Sequence, residues 1–324
     1  MFTGGDNLKI VIVEPLSVAE ELIEKIAADI KEAGHELIIY DNRPQEDEEI
    51  IKRIGAAEIA VIANLPLSAE VLKACPQLEL ISVAFTGVDH IDLDTCREED
   101  ITVCNAPGYS TYAVAELALG LMISVMRNLI AGDAAVRQEK TRAGLIGPEL
   151  YGKTLGIIGT GSIGLRVAEL GQAFGCELLG YNRSQKQAAQ KLGLEYVDLE
   201  TLMAESDIVS LHLPHTDQTE GLIDRSKIDL MQDSSIFINT ARGPIVDNAA
   251  LADALKEGNI AGAGIDVFEM EPPLPKDHPL VDAPHTVLTP HVAFATPEAF
   301  QRRVKTVFAN IRAWLTDEAQ NVMN

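Results

Sequence analysis

The chain has 324 residues, which at about 150 residues per domain predicts two domains, and its 47% hydrophobic and 23% charged residues exclude a disordered or fibrous protein. Acidic residues outnumber basic ones by 49 to 26, and the resulting net charge of −23 argues against binding to nucleic acid. The four cysteines have no CxxC or metal-ligand spacing, no apolar run reaches the roughly 18 residues of a membrane helix, and the N-terminus has no signal-peptide pattern. We therefore expect a cytoplasmic protein without a metal site and without a membrane or nucleic-acid partner.

In the first half of the chain, short β-branched runs alternate with amphipathic stretches. The runs suit strands that are buried on both faces, and the stretches between them, such as Val18–Ala33 and Glu46–Ile54, suit helices. This alternation predicts a doubly wound parallel α/β sheet with right-handed crossovers. The predicted strands of this half are Lys9–Val13, Glu36–Tyr40, Ala57–Ala63, Leu78–Ala84 and Ile101–Cys104.

The second half repeats this rhythm after a long apolar segment. Thr111–Leu129 is apolar on nearly every side, which is typical of a helix buried between domains or against a partner chain. A last helix is predicted over Thr296–Leu315, with Thr296 as its N-cap and Pro297 at its first position. The two helices are candidate crossings between the predicted domains. The strands predicted between them are Leu155–Ile158, Glu177–Tyr181, Ile208–Leu211, Ser235–Asn239, Ala261–Ile265 and Thr286–Leu288.

A glycine motif, GTGSIG at residues 159–164, follows the strand-like run Lys153–Ile158 and opens a helix-like stretch. The GxGxxG pattern alone also occurs in ordinary tight turns, but its position between a strand and a helix is what a dinucleotide site requires. In such a site Gly159 makes the turn, Gly161 lets the backbone approach a pyrophosphate, and Gly164 allows the helix to pack closely on the strand. The N–H groups at the helix N-terminus then bind the phosphates. The sequence thus predicts a dinucleotide cofactor.

Three polar residues of different chemistry come just after later strands. Arg242 follows SIFINTA, Asp266 follows AGAGI and His291 follows TVLTP. Each alone has an ordinary structural explanation: a helix-cap ion pair for Arg242, a turn former for Asp266 and a satisfied core histidine for His291. Because ligands of open α/β sheets bind beyond the carboxyl ends of the strands, the three together predict a substrate-sized site.

Six blocks of sequence resemble the D-isomer-specific 2-hydroxyacid dehydrogenases, and they follow the order of that family over nearly the whole chain. The blocks are FTGVDHIDLD, NAPGYSTYAVAE, GIIGTGSIG, INTARGPIVD, AGIDVFEMEPP and LTPHVAFAT. The resemblance implies a Rossmann NAD(P)-binding domain, residues 107–292, that is inserted into a flavodoxin-like substrate domain made of residues 1–106 and 293–324. Composition alone does not return the C-terminus to the first domain.

Carried onto this chain, the family pattern implies a catalytic set of three side chains. His291 matches the general acid that gives a proton to the ketone oxygen, and Glu271 matches the carboxylate that orients its imidazole. Arg242 matches the guanidinium that holds the substrate carboxylate and polarises the carbonyl. The substrate-binding residues implied by the resemblance are Leu65 and a loop whose backbone N–H groups receive the carboxylate, Thr86, Gly87 and Val88.

The resemblance also implies cofactor contacts from several loops. Asp266 matches the group near the nicotinamide carboxamide, and His212 with Pro214 lies in a loop that resembles the wall beside the adenosine. Four other histidines are expected at the surface: His35, His90, His278 and His285. The predicted cofactor-binding residues are Gly159, Gly161, Ser162, Ile163, Gly164, Asn182, Arg183, Ser184, His212, Pro214, Thr219, Thr240, Ala241 and Asp266.

The chain departs from the family pattern at the end of the second strand of the predicted Rossmann domain. NAD-using members carry an acid there, which binds the ribose hydroxyls and repels a 2′-phosphate. This chain has Asn182, Arg183 and Ser184 instead, which favours NADP(H), while a neutral Asn also permits NAD(H). Further along, Phe294 replaces a small residue and is expected to line the pocket, and the loop Asn64–Leu67 holds no base for a substrate phosphate.

These features predict an enzyme that transfers a hydride between NAD(P)H and a small unphosphorylated 2-keto acid such as glyoxylate or hydroxypyruvate. A D-lactate-type dehydrogenase of a larger keto acid is the alternative within the class. A second alternative is a non-catalytic NAD(H)-sensing protein that resembles the family's corepressors, and the intact catalytic set favours the enzyme over it. The apolar segment Thr111–Leu129 predicts a homodimer that buries it, as in the family.

Overall fold

The computed structural model describes residues 7–324, which divide into two compact units. One unit takes the described residues up to Tyr109 together with Ala295–Asn324, and the other is Ser110–Phe294. The chain therefore changes units within three residues of the boundaries that the sequence predicts.

The helices and strands have the following bounds. The strands are β1 (Lys9–Ile12), β2 (Glu36–Ile39), β3 (Ile59–Ile62), β4 (Leu80–Val83), β5 (Thr102–Cys104), β6 (Thr154–Ile158), β7 (Glu177–Tyr181), β8 (Glu195–Tyr196), β9 (Ile208–Leu211), β10 (Ile236–Asn239), β11 (Gly262–Ile265) and β12 (Thr286–Leu288). The helices are α1 (Glu20–Ile26), α2 (Ala28–Glu32), α3 (Asp47–Ile54), α4 (Ala69–Lys73), α5 (Leu93–Glu98), α6 (Thr111–Met126), α7 (Leu129–Arg137), α8 (Ser162–Ala173), α9 (Gln187–Lys191), α10 (Leu199–Glu205), α11 (Arg225–Ile228), α12 (Asn248–Glu257) and α13 (Pro297–Trp314), with a 3₁₀ turn at Gly243–Ile245.

The first unit is built on a five-stranded parallel sheet in the order β2-β1-β3-β4-β5, which is the flavodoxin-like order. The central strands β3 and β4 are buried along their whole length, as the β-branched runs predict. Helix α13 returns the C-terminus to this unit and packs on β4 through Val307 and Phe308, which are fully buried. Burying a side chain of that size stabilises a fold by about 1.5–3 kcal/mol. The α13 N-cap is confirmed, because Thr296 accepts a hydrogen bond from the Ala299 N–H.

The second unit is built on a seven-stranded parallel sheet in the order β12-β11-β10-β9-β6-β7-β8. Strand order reverses between β6 and β9, so this is a Rossmann sheet with one additional strand, and its ligand crevice is expected beyond the carboxyl ends of β6 and β9. Helix α6 packs on α8 and on β10 and β11. The predicted fold class, two doubly wound parallel-sheet α/β units, is confirmed.

Two predicted helices are each divided in the structure. The segment Val18–Ala33 forms α1 and α2, because Ala27 has a ψ of 0° that interrupts the helix. The segment Thr111–Leu129 ends at Met126, because Asn128 is left-handed with a φ of 51°, and α7 follows. Asparagine tolerates that conformation better than most residues. Within residues 7–324, no single helix is long and apolar enough to cross a membrane. Taken together, α6 and α7 have the length and apolar composition of a membrane span, but they are bent by 57° relative to each other.

The apolar character of α6 is largely explained by packing within its own unit, where Ala115, Ala118 and Met122 are fully buried. Within the same predicted segment, Tyr112 is 52% and Leu129 is 50% exposed. Further along the chain, α7 buries none of its residues, Val136 is 75% exposed, and Ile146 in the following loop is 89% exposed. The predicted homodimer stays a prediction.

Candidate active site

The glycine motif lies between β6 and α8, as predicted, and each glycine has a distinct geometry. Gly159 has a φ of 98°, and a Cβ there would stand 2.5 Å from the His212 carbonyl oxygen. A Cβ on Gly164 would stand 1.9 Å from the Gly159 oxygen, so glycine is required for the helix to approach the turn. Gly161 faces open space instead, and no side chain caps the first turn of α8. Its exposed N–H groups therefore form a cradle for an anion such as a pyrophosphate.

The predicted site residues of the second unit all follow the carboxyl ends of strands. Asn182 follows β7, and the glycine loop follows β6. His212 follows β9, Arg242 comes three residues after β10, and Asp266 follows β11. His291 lies three residues after β12. Because the sheet order is β12-β11-β10-β9-β6-β7, the candidate catalytic residues occupy one end of this edge and the candidate adenosine-binding residues the other.

The candidate catalytic residues His291 and Glu271 form a hydrogen-bonded pair. The His291 Nδ1 atom lies 2.8 Å and 3.0 Å from the two Glu271 carboxylate oxygens, which leaves Nε2 as the ring nitrogen that can serve a substrate. His291 has a left-handed φ of 54°, a conformation that costs a non-glycine residue about 1–3 kcal/mol and that recurs at functional sites. Phe294 meets the imidazole edge-on, with ring centroids 5.4 Å apart. Phe294 therefore packs against the imidazole, and its expected place in the pocket lining stays a prediction.

Asp266 fixes the segment that carries His291. Its carboxylate is fully buried and accepts hydrogen bonds from the Thr289 hydroxyl (2.6 Å) and the backbone N–H groups of Val292 and Ala293 (both 2.9 Å). Its carbonyl oxygen accepts a further bond from the His291 N–H. The sequence gives no signal of this role, because it depends on how two strand ends come together. The predicted contact of Asp266 with the nicotinamide stays a prediction.

Arg242 is half-buried on the turn after β10. Its guanidinium donates to the Ala241 carbonyl oxygen at 2.8 Å, and the Asn239 side chain secures its backbone by donating to the Arg242 carbonyl at 3.1 Å. The neighbouring Thr240 is buried, and its hydroxyl oxygen has no hydrogen-bond partner among residues 7–324. An unpaired buried hydroxyl at this edge fits a ligand that supplies the missing bond.

The loop after β9 contains the predicted adenosine wall. The His212 Nε2 atom is 2.9 Å from the Ser210 hydroxyl, and its Nδ1 atom has no partner in the described part of the chain. Burial lowers the pKa of His212 to about 3. This imidazole is therefore neutral at physiological pH. The Thr219 hydroxyl donates to the Pro214 carbonyl oxygen at 2.7 Å and thereby closes the loop on itself. The predicted contacts of His212, Pro214 and Thr219 with the cofactor stay a prediction.

The segment after β7 is held by the predicted residue Asn182 and by Tyr196, which the sequence does not predict. Asn182 accepts a bond from the Thr160 N–H at 3.4 Å and donates to the Ser184 carbonyl at 2.6 Å, so its side chain ties the glycine loop to the following turn. The Tyr196 hydroxyl lies 2.6 Å from the Thr160 hydroxyl and accepts a bond from the Lys186 N–H at 2.9 Å. Tyr196 belongs to β8, a two-residue strand too short to give a periodic signal. Arg183 is exposed beside this segment.

The predicted substrate-binding residues lie in the first unit. Thr86 donates from its hydroxyl to the Ala106 carbonyl and accepts at its own carbonyl from the Asn105 side chain. Gly87 is half-buried and Val88 is buried. The Thr86–Val88 loop is thus tied to the segment after β5.

A second loop of this unit contains Leu65, which is buried. The Glu14 carboxylate, 2% exposed, accepts hydrogen bonds from the Ala63 and Leu65 N–H groups, both at 2.8 Å. Arg43 also pairs with Glu14 at 2.8 Å and contacts the Asn64 side chain and carbonyl. A base does therefore reach this loop, from a distant part of the chain, but Glu14 balances its charge.

The surface prediction for the remaining histidines is correct for His285, which is exposed, and wrong for His278. The His278 side chain is 2% exposed and lies 3.0 Å and 3.1 Å from the two Glu269 carboxylate oxygens. His35 and His90 are half-buried. Burial of His278 depends on a loop fold that neither periodicity nor motif spacing reveals.

A Rossmann sheet with an anion cradle at β6, and with a hydrogen-bonded imidazole–carboxylate pair and a guanidinium at the same sheet edge, defines a class of protein: a nicotinamide-dependent dehydrogenase of a small carboxylate-bearing substrate. The open cradle at Gly161 and the unpaired Thr240 hydroxyl both fit such a cofactor.

Comparison with known proteins gives the family. The family model for the NAD binding domain of D-isomer specific 2-hydroxyacid dehydrogenases matches residues 119–293. The chain is 37% identical over 308 residues to a glyoxylate reductase of Korarchaeum cryptofilum, covering 93% of this chain and 92% of that one. It is 34% identical over 303 residues to a hydroxypyruvate reductase of Blautia hydrogenotrophica, covering 90% and 93% of the two chains.

Among solved structures, an acyclic imino acid reductase in complex with NADPH and D-Arg superposes with a TM-score of 0.88 at 30% identity, covering 98% of this chain and all of that one. The chain belongs to the D-isomer-specific 2-hydroxyacid dehydrogenase family. It is an NAD(P)-dependent enzyme that transfers a hydride between its cofactor and a small 2-keto or 2-hydroxy acid, as the sequence predicts.

Proposed function

We propose that the protein reduces short, unphosphorylated 2-keto acids, with glyoxylate and hydroxypyruvate as its leading substrates. The observation that carries this proposal is the hydrogen-bonded His291–Glu271 pair, which lies at the same carboxyl edge of the sheet as Arg242. The nicotinamide supplies the hydride when it is bound. Arg242 holds the substrate carboxylate, and His291 gives the proton at Nε2 to the ketone oxygen while Glu271 orients the ring.

The proposed domain roles follow the same division. The unit that ends with α13 is the substrate domain, in which Leu65 and the Thr86–Val88 loop bind the keto acid. The unit Ser110–Phe294 is the cofactor domain. Because Glu14 already balances the charge of Arg43, the substrate loop offers no unpaired base for a phosphate. This favours a keto acid without a phosphate group, such as glyoxylate or hydroxypyruvate.

The experiment that tests the substrate proposal compares kcat/KM across glyoxylate, hydroxypyruvate, pyruvate, a branched 2-keto acid and 3-phosphohydroxypyruvate. Each substrate is offered with NADPH and with NADH. We expect glyoxylate or hydroxypyruvate to lead the panel. A branched keto acid or a phosphorylated one in first place would refute the proposal.

We further propose that NADP(H) is preferred over NAD(H). Asn182 replaces the acid that would repel a 2′-phosphate, and Arg183, Ser184 and Lys186 offer a charge and donors beside it. The Tyr196 hydroxyl and the Asn182 side chain hold this segment in place. The test is kcat/KM with each cofactor for the wild type and for Arg183→Ala, with the equally exposed Arg142→Ala as control. An NADH preference in the wild type, or a loss in Arg183→Ala that is equal for both cofactors, would contradict it.

We also propose a cytoplasmic homodimer. The exposed apolar side chains of α7 and the loop after it, including Ile130, Val136 and Ile146, support a partner surface. The four free cysteines, three of them buried, suit a reducing compartment. Light scattering at micromolar concentration tests the assembly, and a particle of 35 kDa would refute the dimer. Activity confined to the membrane fraction of a lysate would refute the location.

A further inference from the structure

The loop Asp266–Glu271 touches both sides of the proposed proton donor. At its start, Asp266 accepts hydrogen bonds from the segment that contains His291. At its end, Glu271 pairs with the His291 ring. The position of this one loop therefore sets both the backbone and the ring of the imidazole.

The middle of the same loop lies against the turn that carries Arg242. A Cβ on Gly243 would stand 1.8 Å from the Phe268 carbonyl carbon and 2.4 Å from the Glu269 nitrogen. The two backbones are thus in direct contact, and only glycine permits it. Since Gly243 directly follows Arg242, a displacement of Glu269 is transmitted to the guanidinium as well.

Glu271 needs such support because its pairing with His291 does not hold it strongly. The Glu271 side chain is 68% exposed, and an exposed pair of this kind stabilises a structure only weakly. Such a pair is too weak to immobilise a loop carboxylate against the conformational entropy of its backbone. Other contacts must fix the loop two or three residues away.

Glu269 makes those contacts. Its carboxylate oxygens lie 3.0 Å and 3.1 Å from the His278 Nε2 atom, and one of them accepts a bond from the Asn248 amide at 2.5 Å. The His278 Nδ1 atom accepts from the Leu280 N–H at 3.3 Å, so the neutral ring carries its proton on Nε2 and donates it to Glu269. Phe268 meets the His278 ring edge-on at 5.5 Å between centroids.

The electrostatics of this cluster favour a permanently ionised Glu269. Partial burial of the carboxyl opposes ionisation, but hydrogen bonds from His278, from its own backbone N–H and from Asn248 outweigh it, so the pKa of Glu269 lies below its ordinary value. The anion is therefore present throughout the neutral range and keeps accepting both donors. The network stays intact while the catalytic pair changes its protonation.

We propose that Glu269, His278 and Asn248 form a positioning network that holds Glu271 and Arg242 in their working geometry. Asn248 ties the network to the first turn of α12, which follows the Arg242 turn, and His278 ties it to the segment beyond the loop. This inference rests on the proposed catalytic roles of Glu271 and Arg242. None of the three network residues is itself catalytic.

The test is a double-mutant cycle on kcat with a 2-keto acid and saturating cofactor. We expect His278→Leu to lower kcat about 10- to 100-fold, because a misplacement of about 1 Å in a catalytic group costs as much as 100-fold. We expect Glu271→Gln to lower kcat at least tenfold in the wild type but less than threefold in the His278→Leu background. If the Glu271 carboxylate is already displaced, removing its charge causes little further loss of kcat.

A second pair of variants keeps the test independent of folding. His278→Gln retains an N–H donor for Glu269, so it should restore at least a third of the wild-type kcat. Asn248→Leu keeps the side-chain volume and removes the N–H donor, together with an amide oxygen that has no partner in the described structure. It should therefore lower kcat about three- to tenfold with little change in Tm. The exposed His285 is the matched control: His285→Asn suits its left-handed backbone and should leave kcat unchanged.

The outcomes separate the network from the catalytic assignment. A large effect of Glu271→Gln that is equally large in the His278→Leu background would overturn the network and leave the catalytic role of Glu271 standing. A His278→Gln variant as impaired as His278→Leu at equal Tm would overturn it too. A wild-type kcat in Glu271→Gln would refute the proposed function, and the network would fall with it. Cofactor affinity, followed by NADPH fluorescence, should not change in any network variant.

Discussion

Replacing Asp266 by asparagine should weaken the fold and catalysis together. One carboxylate oxygen accepts from the Thr289 hydroxyl and the Val292 N–H, and the other from the Ala293 N–H at 2.9 Å. An asparagine amide can satisfy the first pair through its carbonyl, but its NH₂ then faces the Ala293 N–H, donor against donor. The variant Asp266→Asn therefore loses one hydrogen bond to a charged group and buries an unpaired donor.

The expected size follows from these contacts. A hydrogen bond to a charged group contributes about 1.5–3 kcal/mol, and a buried unpaired donor costs about 1–3 kcal/mol. With partial relaxation we expect the free energy of unfolding to fall by about 2–4 kcal/mol and Tm by about 5–15 °C. Because the same bonds hold His291 at its left-handed φ of 54°, kcat should fall about 10- to 100-fold.

The assay measures Tm by calorimetry, kcat from the loss of NADPH absorbance, and cofactor affinity by fluorescence. The Asp266 carboxylate accepts its hydrogen bonds from Thr289, Val292 and Ala293, so cofactor affinity should stay within about twofold. Asp233→Asn, at an exposed position, is the control. A variant that loses stability but keeps the wild-type kcat would refute the positioning of His291 by Asp266. A selective loss of cofactor affinity would favour a direct contact with the nicotinamide instead.

Three further predictions follow from the same geometry. Tyr196→Phe removes a hydroxyl with two partners, so it should lower kcat/KM for NADPH about three- to tenfold, and less for NADH. An equal loss with both cofactors would contradict the role of Tyr196 in holding the segment after β7 that is proposed to bind the 2′-phosphate. The double variant Val136→Asp with Ile146→Asp should convert a particle of about 70 kDa to one of 35 kDa in light scattering. An unchanged mass would show that the dimer interface does not include these two residues. His212 binds a proton below about pH 6.5 in the unfolded chain but only near pH 3 in the folded one, so the free energy of unfolding falls as the pH drops between these values. His212→Gln should show a shallower fall in unfolding free energy from pH 6.5 to 4. An unchanged slope would refute a neutral, buried His212.

The sequence predicts well those parts of the fold that depend on local residue patterns. Buried parallel strands such as Ile59–Ile62 are continuous β-branched runs, and the turn before α8 needs glycine at fixed spacing. Strand-end residues such as His291 follow from chain order, because parallel strands bring their carboxyl ends to one edge. The return of α13 to the first unit comes from the family resemblance, not from any local pattern.

The parts that the sequence misses depend on contacts between distant segments. His278 is hydrophilic and lies among turn formers, and only the loop fold reveals that Glu269 is within 3.0 Å of it. Arg43 reaches the substrate loop from the end of β2, 21 residues away along the chain. The break at Ala27 lies within an unbroken apolar periodicity. In each case a tertiary contact or a single backbone angle determines the local structure, and neither gives a periodic signal in the sequence.

The most direct test of the central claim, that His291 gives the proton in keto acid reduction, compares the wild type with His291→Gln. The rate of NADPH loss is followed with saturating glyoxylate or hydroxypyruvate, and cofactor binding is measured in parallel by fluorescence. We predict a fall in kcat of at least about 100-fold with cofactor affinity within twofold, since general acids contribute roughly 10²–10⁴ to the rate. A variant that keeps near-full turnover would show that His291 is not the proton donor.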